Sequence, residues 1–187
     1  MFDRKSSYQP VALGLILAAA MLRLIPHPPN FAPVGALALF SGARLKGWQA
    51  YVVPLLAMLI TDPILSHMVG YSAYSSATVI IYLSILIYVL LGRTFLRNSS
   101  KVVRIASVAL LGSIQFFLIT NLMVWGGGTL YPHTPSGLLL CYTEALPFFG
   151  YTLAADLFYA AILFGAYAAL RYRLEPAPAK ALNRMGF

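Results

Sequence analysis

A chain of 187 residues that is 60% hydrophobic and only 10% charged cannot cover a water-facing surface, because soluble domains give about 25% of their residues to charge. Its mean hydropathy is +0.78, so lipid must solvate much of it. Spans of about 20 residues each consume nearly its whole length, which excludes a separate soluble catalytic domain. The net charge of +8 does not mark a nucleic-acid binder, since the basic residues sit in short segments between apolar runs, as the positive-inside rule produces.

In chain order, Arg4 and Lys5 precede an apolar run at 11–21 that ends in Ala18, Ala19 and Ala20, a pattern resembling a secretory signal peptide. Everything downstream is equally apolar, so this run reads as an uncleaved first helix, 10–24. Pro26, Pro28 and Pro29 then forbid regular helix. A second helix, 32–43, is rich in small residues. At about 1.5 Å per residue it reaches only about 18 Å, so it is expected to tilt and to be protected by its neighbours. The third helix, 48–67, carries Pro54 and Pro63 as kinks, tolerable where other helices satisfy the freed carbonyls. The fourth, 75–91, leads to a basic loop with Arg93, Arg97, Lys101 and Arg104, and the fifth occupies 105–124.

A long segment follows at 125–150, opening on Gly126, Gly127 and Gly128, which read as a flexible turn because no phosphate-loop lysine follows. Its apolar stretch, 137–146, is too short to span and predicts a re-entrant or interfacial helix. The sixth helix is 151–170. The expected organisation is all-α: a polytopic six-helix transmembrane domain at 1–174 and a basic cytoplasmic tail at 175–187. With six crossings, twelve of the thirteen Lys and Arg residues fall on one side, Arg23 being the exception. That partition predicts a bacterial inner-membrane protein with both termini cytoplasmic. Merging the first two helices would spoil it.

The polar residues near the spans concentrate in the outward half. Arg23, Asp62 and Asn121 lie near the outer ends of helices one, three and five, and Asp156 about two turns inside the sixth. Ionisable groups within a membrane are costly and mark a pathway, a ligand site or a structural pair. Aromatic residues crowd the outer loops, and Tyr71, Trp125, Tyr131 and Tyr142 are the candidates for a cover over a polar floor of Arg23, Asp62, Asn121 and Asp156. A pocket walled by aromatics with a few convergent polar groups is the usual form of a small-molecule site. Simpler roles compete. Arg23 can pair with Asp62 or Asp156 to lock helices, Asn121 can anchor one helix to another, and the aromatics can form an interfacial belt. His27, His67, His133 and Glu144 lie in or beside the outer loops, without the spacing of a metal site. Cys141, the single cysteine, reads as a packed thiol. No nucleophile stands with a base, so neither an enzyme nor a cofactor is expected. Gly14 and Ala18 lie four residues apart on the first helix, a spacing that lets another helix approach closely, either within the bundle or from a partner subunit.

The stretch 29–40, Pro-Asn-Phe-Ala-Pro-Val-Gly-Ala-Leu-Ala-Leu-Phe, resembles the opening of a family of uncharacterised bacterial membrane proteins classed as candidate transport proteins. So do Thr61-Asp62-Pro63, the run 117–132 with Thr120, Asn121, Trp125, Tyr131 and Pro132, and the segments 137–149 and 156–164. In size, helix number and outward polar site, these proteins are similar to the S components of energy-coupling factor (ECF) vitamin transporters. The resemblance implies a six-helix S-component-like fold that binds a vitamin-like solute under the loops after helices one, three and five. It also implies a transmembrane coupling protein, driven by two ATPases, that docks on a small-xxx-small motif of the first helix. Here Gly14 and Ala18 stand where that motif usually has two alanines. The expected partners are thus the bilayer, a small organic solute, and that coupling module, with no nucleic acid. The rival reading is an accessory or structural subunit of a larger membrane complex, which predicts polar residues tied up in interhelical pairs.

Overall fold

The computed structural model describes residues 8–70 and 72–174, so Tyr71 and the tail at 175–187 lie outside the described residues. Among these residues the protein is all-helical, with six helices and no strand. They are α1 (Gln9–Leu22), α2 (Val34–Arg44), α3 (Gln49–Val69), α4 (Ser76–Leu91), α5 (Val102–Gly127) and α6 (Pro135–Leu174), and α4 runs on through a π-helical turn, Gly92–Leu96. Four helices, α3 to α6, are long and apolar enough to cross a membrane, whereas α1 and α2 are shorter, at 14 and 11 residues.

Local chemistry sets the boundaries. Pro10 sits in the first turn of α1, where its missing N–H costs nothing. Helix α3 stays helical through Pro54 and Pro63 and ends at Gly70, whose φ of 83° is left-handed, a conformation that suits glycine at a helix C-terminus. At the start of α4 the Ser75 N–H donates to the Thr78 hydroxyl at 2.9 Å. At the start of α6 the Thr134 hydroxyl accepts the Gly137 N–H at 3.1 Å, with Pro135 as first helical residue.

Two expectations are corrected here. The stretch 137–146 is no separate re-entrant helix; it forms the first part of α6, which continues through Pro147 for 40 residues. At about 60 Å this helix is twice the roughly 30 Å hydrocarbon thickness. Contacts with α5 carry it past the proline. Phe117 packs on Tyr142 before Pro147 and on Phe149 after it, with ring centroids 5.4 and 5.1 Å apart, and the Tyr142 hydroxyl donates to the Leu118 carbonyl at 2.7 Å. The expected glycine turn is also reduced, since Gly126 and Gly127 complete α5 and only Gly128 leaves it.

Helix α2 is the centre of the fold. Every residue from Gly35 to Ala43 is buried, and α2 touches each of the other five helices. A helix of about 16 Å need not reach across a bilayer when protein encloses it. Its glycines make the enclosure possible. A Cβ on Gly42 would overlap the Val89 carbonyl, and one on Gly92 would overlap the Leu39 carbonyl. The α2 and α4 backbones thus meet without side chains between them, the close approach that small residues permit between helices in lipid. Phe40 extends the core on the opposite side, packing edge-on against Phe164 and Tyr167 of α6.

Candidate solute site

A cleft of about 490 Å³ opens beside the start of α2, with walls from α2, α3, α4, α5, α6, the C-cap of α1 and the α1–α2 connection. Its apolar wall includes Val34, Met58, Leu65, Ile81, Ile85 and Phe116; its polar groups are Arg23, His27, Asn30, Tyr88, Thr152 and Asp156. Small-molecule sites have about this size and this balance of broad apolar wall and few polar groups. The connection over it is tied down by Phe31, whose ring lies 6.0 Å from Phe158 and 5.8 Å from Tyr159 of α6. Asn30 beside it adopts a left-handed φ of 64°, a conformation asparagine tolerates better than most residues.

Among the described residues Asp156 is the most enclosed charged side chain, 1% exposed. One carboxylate oxygen accepts the Tyr88 hydroxyl at 2.6 Å and the Ser113 hydroxyl at 2.7 Å. The carboxylate also takes the backbone N–H of Ala36. It therefore rests on the first turn of α2, whose N-cap residue, Pro33, offers no capping side chain. Unpaired N–H groups at a helix start carry partial positive charge and favour an anion. Asp156 supplies it from another helix, joining α2, α4, α5 and α6 at one point.

Arg23 and Asp62 form a second junction, at 2.5 Å between Nη2 and Oδ1. Arg23 also donates to the Thr61 hydroxyl, and Asp62 accepts the Tyr82 hydroxyl at 2.6 Å. Both charges are largely buried, 14% and 10% exposed. Of the two partners open to Arg23 in the sequence, the fold selects Asp62.

The predicted floor and cover separate in space. Arg23 and Asp156 contribute to the cleft wall. Asp62 stands behind Arg23 as its counter-ion. Asn121 lies apart from the cleft: its side chain donates to the Phe117 carbonyl one turn back, at 2.8 Å, and its own carbonyl meets the Cys141 thiol at 3.5 Å. Trp125 donates to the Pro132 carbonyl at 2.9 Å and packs on His133, organising the α5–α6 connection. Tyr142 is held on α5, and Tyr131 is partly exposed in the connection; neither lines the cleft. Tyr71 lies outside the described residues. Gly14 and Ala18 face outward on α1, and a Cβ on Gly14 would meet nothing within 4 Å, so this pair does not serve a close contact within the bundle.

Sequence reasoning missed Tyr82, Tyr88 and Ser113, the hydroxyls that donate to the two carboxylates. The available signal was a hydroxyl within an otherwise apolar helix: Tyr82 and Tyr88 lie on α4 and Ser113 midway along α5. It also missed Gly35, whose hydrogen is all that separates the α2 backbone from the Asp156 carboxylate.

No curated protein and no solved structure matches the chain. Residues 4–179 match the model of a family of unknown function, DUF6580, and the chain belongs to that family.

Proposed function

We propose that this protein is a substrate-binding component of a transport system in the bacterial cytoplasmic membrane, taking up a small, largely apolar organic solute from the outer side. The observation that carries this reading is the cleft of about 490 Å³ between the helices, apolar over most of its wall and polar at Arg23, His27, Asn30 and Thr152. Such a wall holds an apolar body and leaves a few hydrogen bonds to orient a polar end. The partition of twelve of thirteen basic residues to one side supports six crossings with both termini inside. Under this reading α1 and α2 are the short crossings, α2 shielded by its neighbours. A solute entering beside the α1–α2 connection would displace water from the cleft and press on Phe31, and the bundle would then rock to release it inward. Likeness to ECF S components, and a coupling protein with ATPases as partners, belong to this same proposal.

The test is native mass spectrometry of the protein extracted gently from its own membranes, alongside a Leu65→Trp variant that fills the cleft. A discrete small molecule carried by the wild type and lost from a folded Leu65→Trp protein is the expected result. A wild type that carries no molecule, or a molecule retained equally by both proteins, would remove this site.

A second reading, an accessory subunit of a larger membrane complex, draws on two observations. Arg23, Asp62 and Asp156, all largely buried, are satisfied by interhelical bonds, and Gly14 and Ala18 leave the outer face of α1 open to a partner helix. It predicts a fixed assembly of membrane subunits with no bound solute in the same experiment.

A further inference from the structure

A second and larger cavity, about 730 Å³, lies away from the solute cleft, where the end of α2, the π-turn connection to α5 and the end of α6 converge. Arg44, Lys46, Arg97 and Arg171 all contribute to its wall, and no Asp or Glu does among the described residues. These four residues are scattered over 128 positions of sequence, from 44 to 171, and the fold gathers them round one space.

Arg44 is positioned in advance. Its guanidinium donates to the Leu96 carbonyl at 2.9 Å, the Ser99 carbonyl at 3.1 Å and the Ser100 hydroxyl at 3.1 Å. It also lies over the rings of Phe164 and Tyr167, 5.0 and 5.5 Å from their centroids. All these partners are neutral. Its Nε is buried and has no hydrogen-bond acceptor. A half-buried arginine whose partners among the described residues are all neutral has room for a counter-anion, because neutral acceptors satisfy hydrogen bonds but do not balance charge.

We propose that this cavity binds the phosphate of an anionic phospholipid headgroup from the inner leaflet. Phosphate is the common anion that accepts from several guanidinium and ammonium donors at once. A membrane source is favoured by what surrounds the cavity. Tyr172 on its wall is 82% exposed, and Val102 and Val103, next in sequence to the connection that walls it, are 80% and 79% exposed. Exposed apolar groups beside a basic pocket match a ligand that brings acyl chains with its charge, and interfacial basic pockets between helices are known to favour anionic lipids. Tyr8 and Tyr167, also on the wall, are the amphipathic side chains expected at headgroup level.

The test uses the full-length protein in bicelles containing equal phosphatidylglycerol and phosphatidylcholine, with retained lipid read by native mass spectrometry. The wild type is expected to retain phosphatidylglycerol in preference. Arg97→Gln, at an exposed side chain, is expected to reduce that preference about fivefold, the effect of one basic residue near a charged surface. Arg44→Gln should reduce it further; Arg97→Gln keeps the test decisive if Arg44→Gln fails to fold. Equal retention of both lipids by the wild type would overturn the proposal, as would an unchanged preference in folded Arg97→Gln. Displacement of phosphatidylglycerol by millimolar inorganic phosphate or ATP, with the soluble anion bound in its place, would assign the cavity to a free phosphate compound and overturn the lipid source.

Discussion

The carboxylate of Asp156 lies directly against the backbone of Gly35, so close that a methyl group on Gly35 would overlap both carboxylate oxygens. The absence of one side chain on α2 lets an acid from α6 reach the N–H groups at the start of α2. The buried charge is then stabilised by a helix terminus and two hydroxyls rather than by a cation.

Gly35→Ala is therefore expected to destabilise the protein by about 1–3 kcal/mol, the usual cost of forcing a methyl into a filled core. Thermal unfolding in detergent, followed by fluorescence, measures it. A midpoint equal to wild type would show that the carboxylate can withdraw from α2 at no cost.

Tyr88→Phe and Ser113→Ala should each lower stability by about 1 kcal/mol, since each removes one interhelical bond to the same oxygen of Asp156. Their effects should not add, because losing either donor leaves the carboxylate more dependent on the other. A double-mutant cycle with strictly additive losses would mean that the two hydroxyls act on Asp156 independently of each other.

Arg23→Met and Asp62→Leu separately should each cost about 2 kcal/mol or more, because each strands a largely buried charge. The double variant Arg23→Met/Asp62→Leu should recover much of that loss, since two apolar side chains leave no charge unpaired. If it is instead as unstable as the sum of the singles, the two charges are not coupled and each stabilises through its other contact, Arg23 with Thr61 and Asp62 with Tyr82. Solute binding in the same double variant tests a separate point: retained affinity would exclude Arg23 as the group that orients the ligand.

Substitution of two glycines should separate internal packing from partner docking. Gly42→Ala pushes a methyl into the Val89 carbonyl, a backbone atom that cannot rotate away, and is expected to destabilise the isolated protein severely. Gly14→Leu meets open space and should leave isolated stability within about 0.5 kcal/mol of wild type. If α1 receives a partner helix, Gly14→Leu will nevertheless prevent co-purification of that partner. Co-purification of the same membrane proteins with wild type and Gly14→Leu would remove this face as the docking surface.

Much of the helical order was readable because apolar run length is a strong signal. The cores of α3, α4 and α5 lie where the runs 48–67, 75–91 and 105–124 put them. The region around Pro147 was not readable. Proline and the glycines at 126–128 argue locally for breaks, and only the packing of Phe117 across Pro147 shows why α6 continues. Arg23 pairing with Asp62 was one of two open choices, and nothing local to either residue decides between Asp62 and Asp156. The cover assigned to Trp125, Tyr131 and Tyr142 rested on their shared loop region, but spans and loops of an antiparallel bundle bring together residues that no short window contains.

By itself the sequence determined that the chain is apolar and helical, with its basic residues in short segments between apolar runs, because these follow from composition and from the order of residues along single segments. The tertiary structure decided that α2 is a buried central helix, that Asp156 belongs to its N-terminus, and that Arg44, Lys46, Arg97 and Arg171 share one cavity. The reason is that each of these is a contact between helices. Such contacts depend on which glycines let backbones meet and which hydroxyls face a carboxylate, quantities that exist only once the helices have packed.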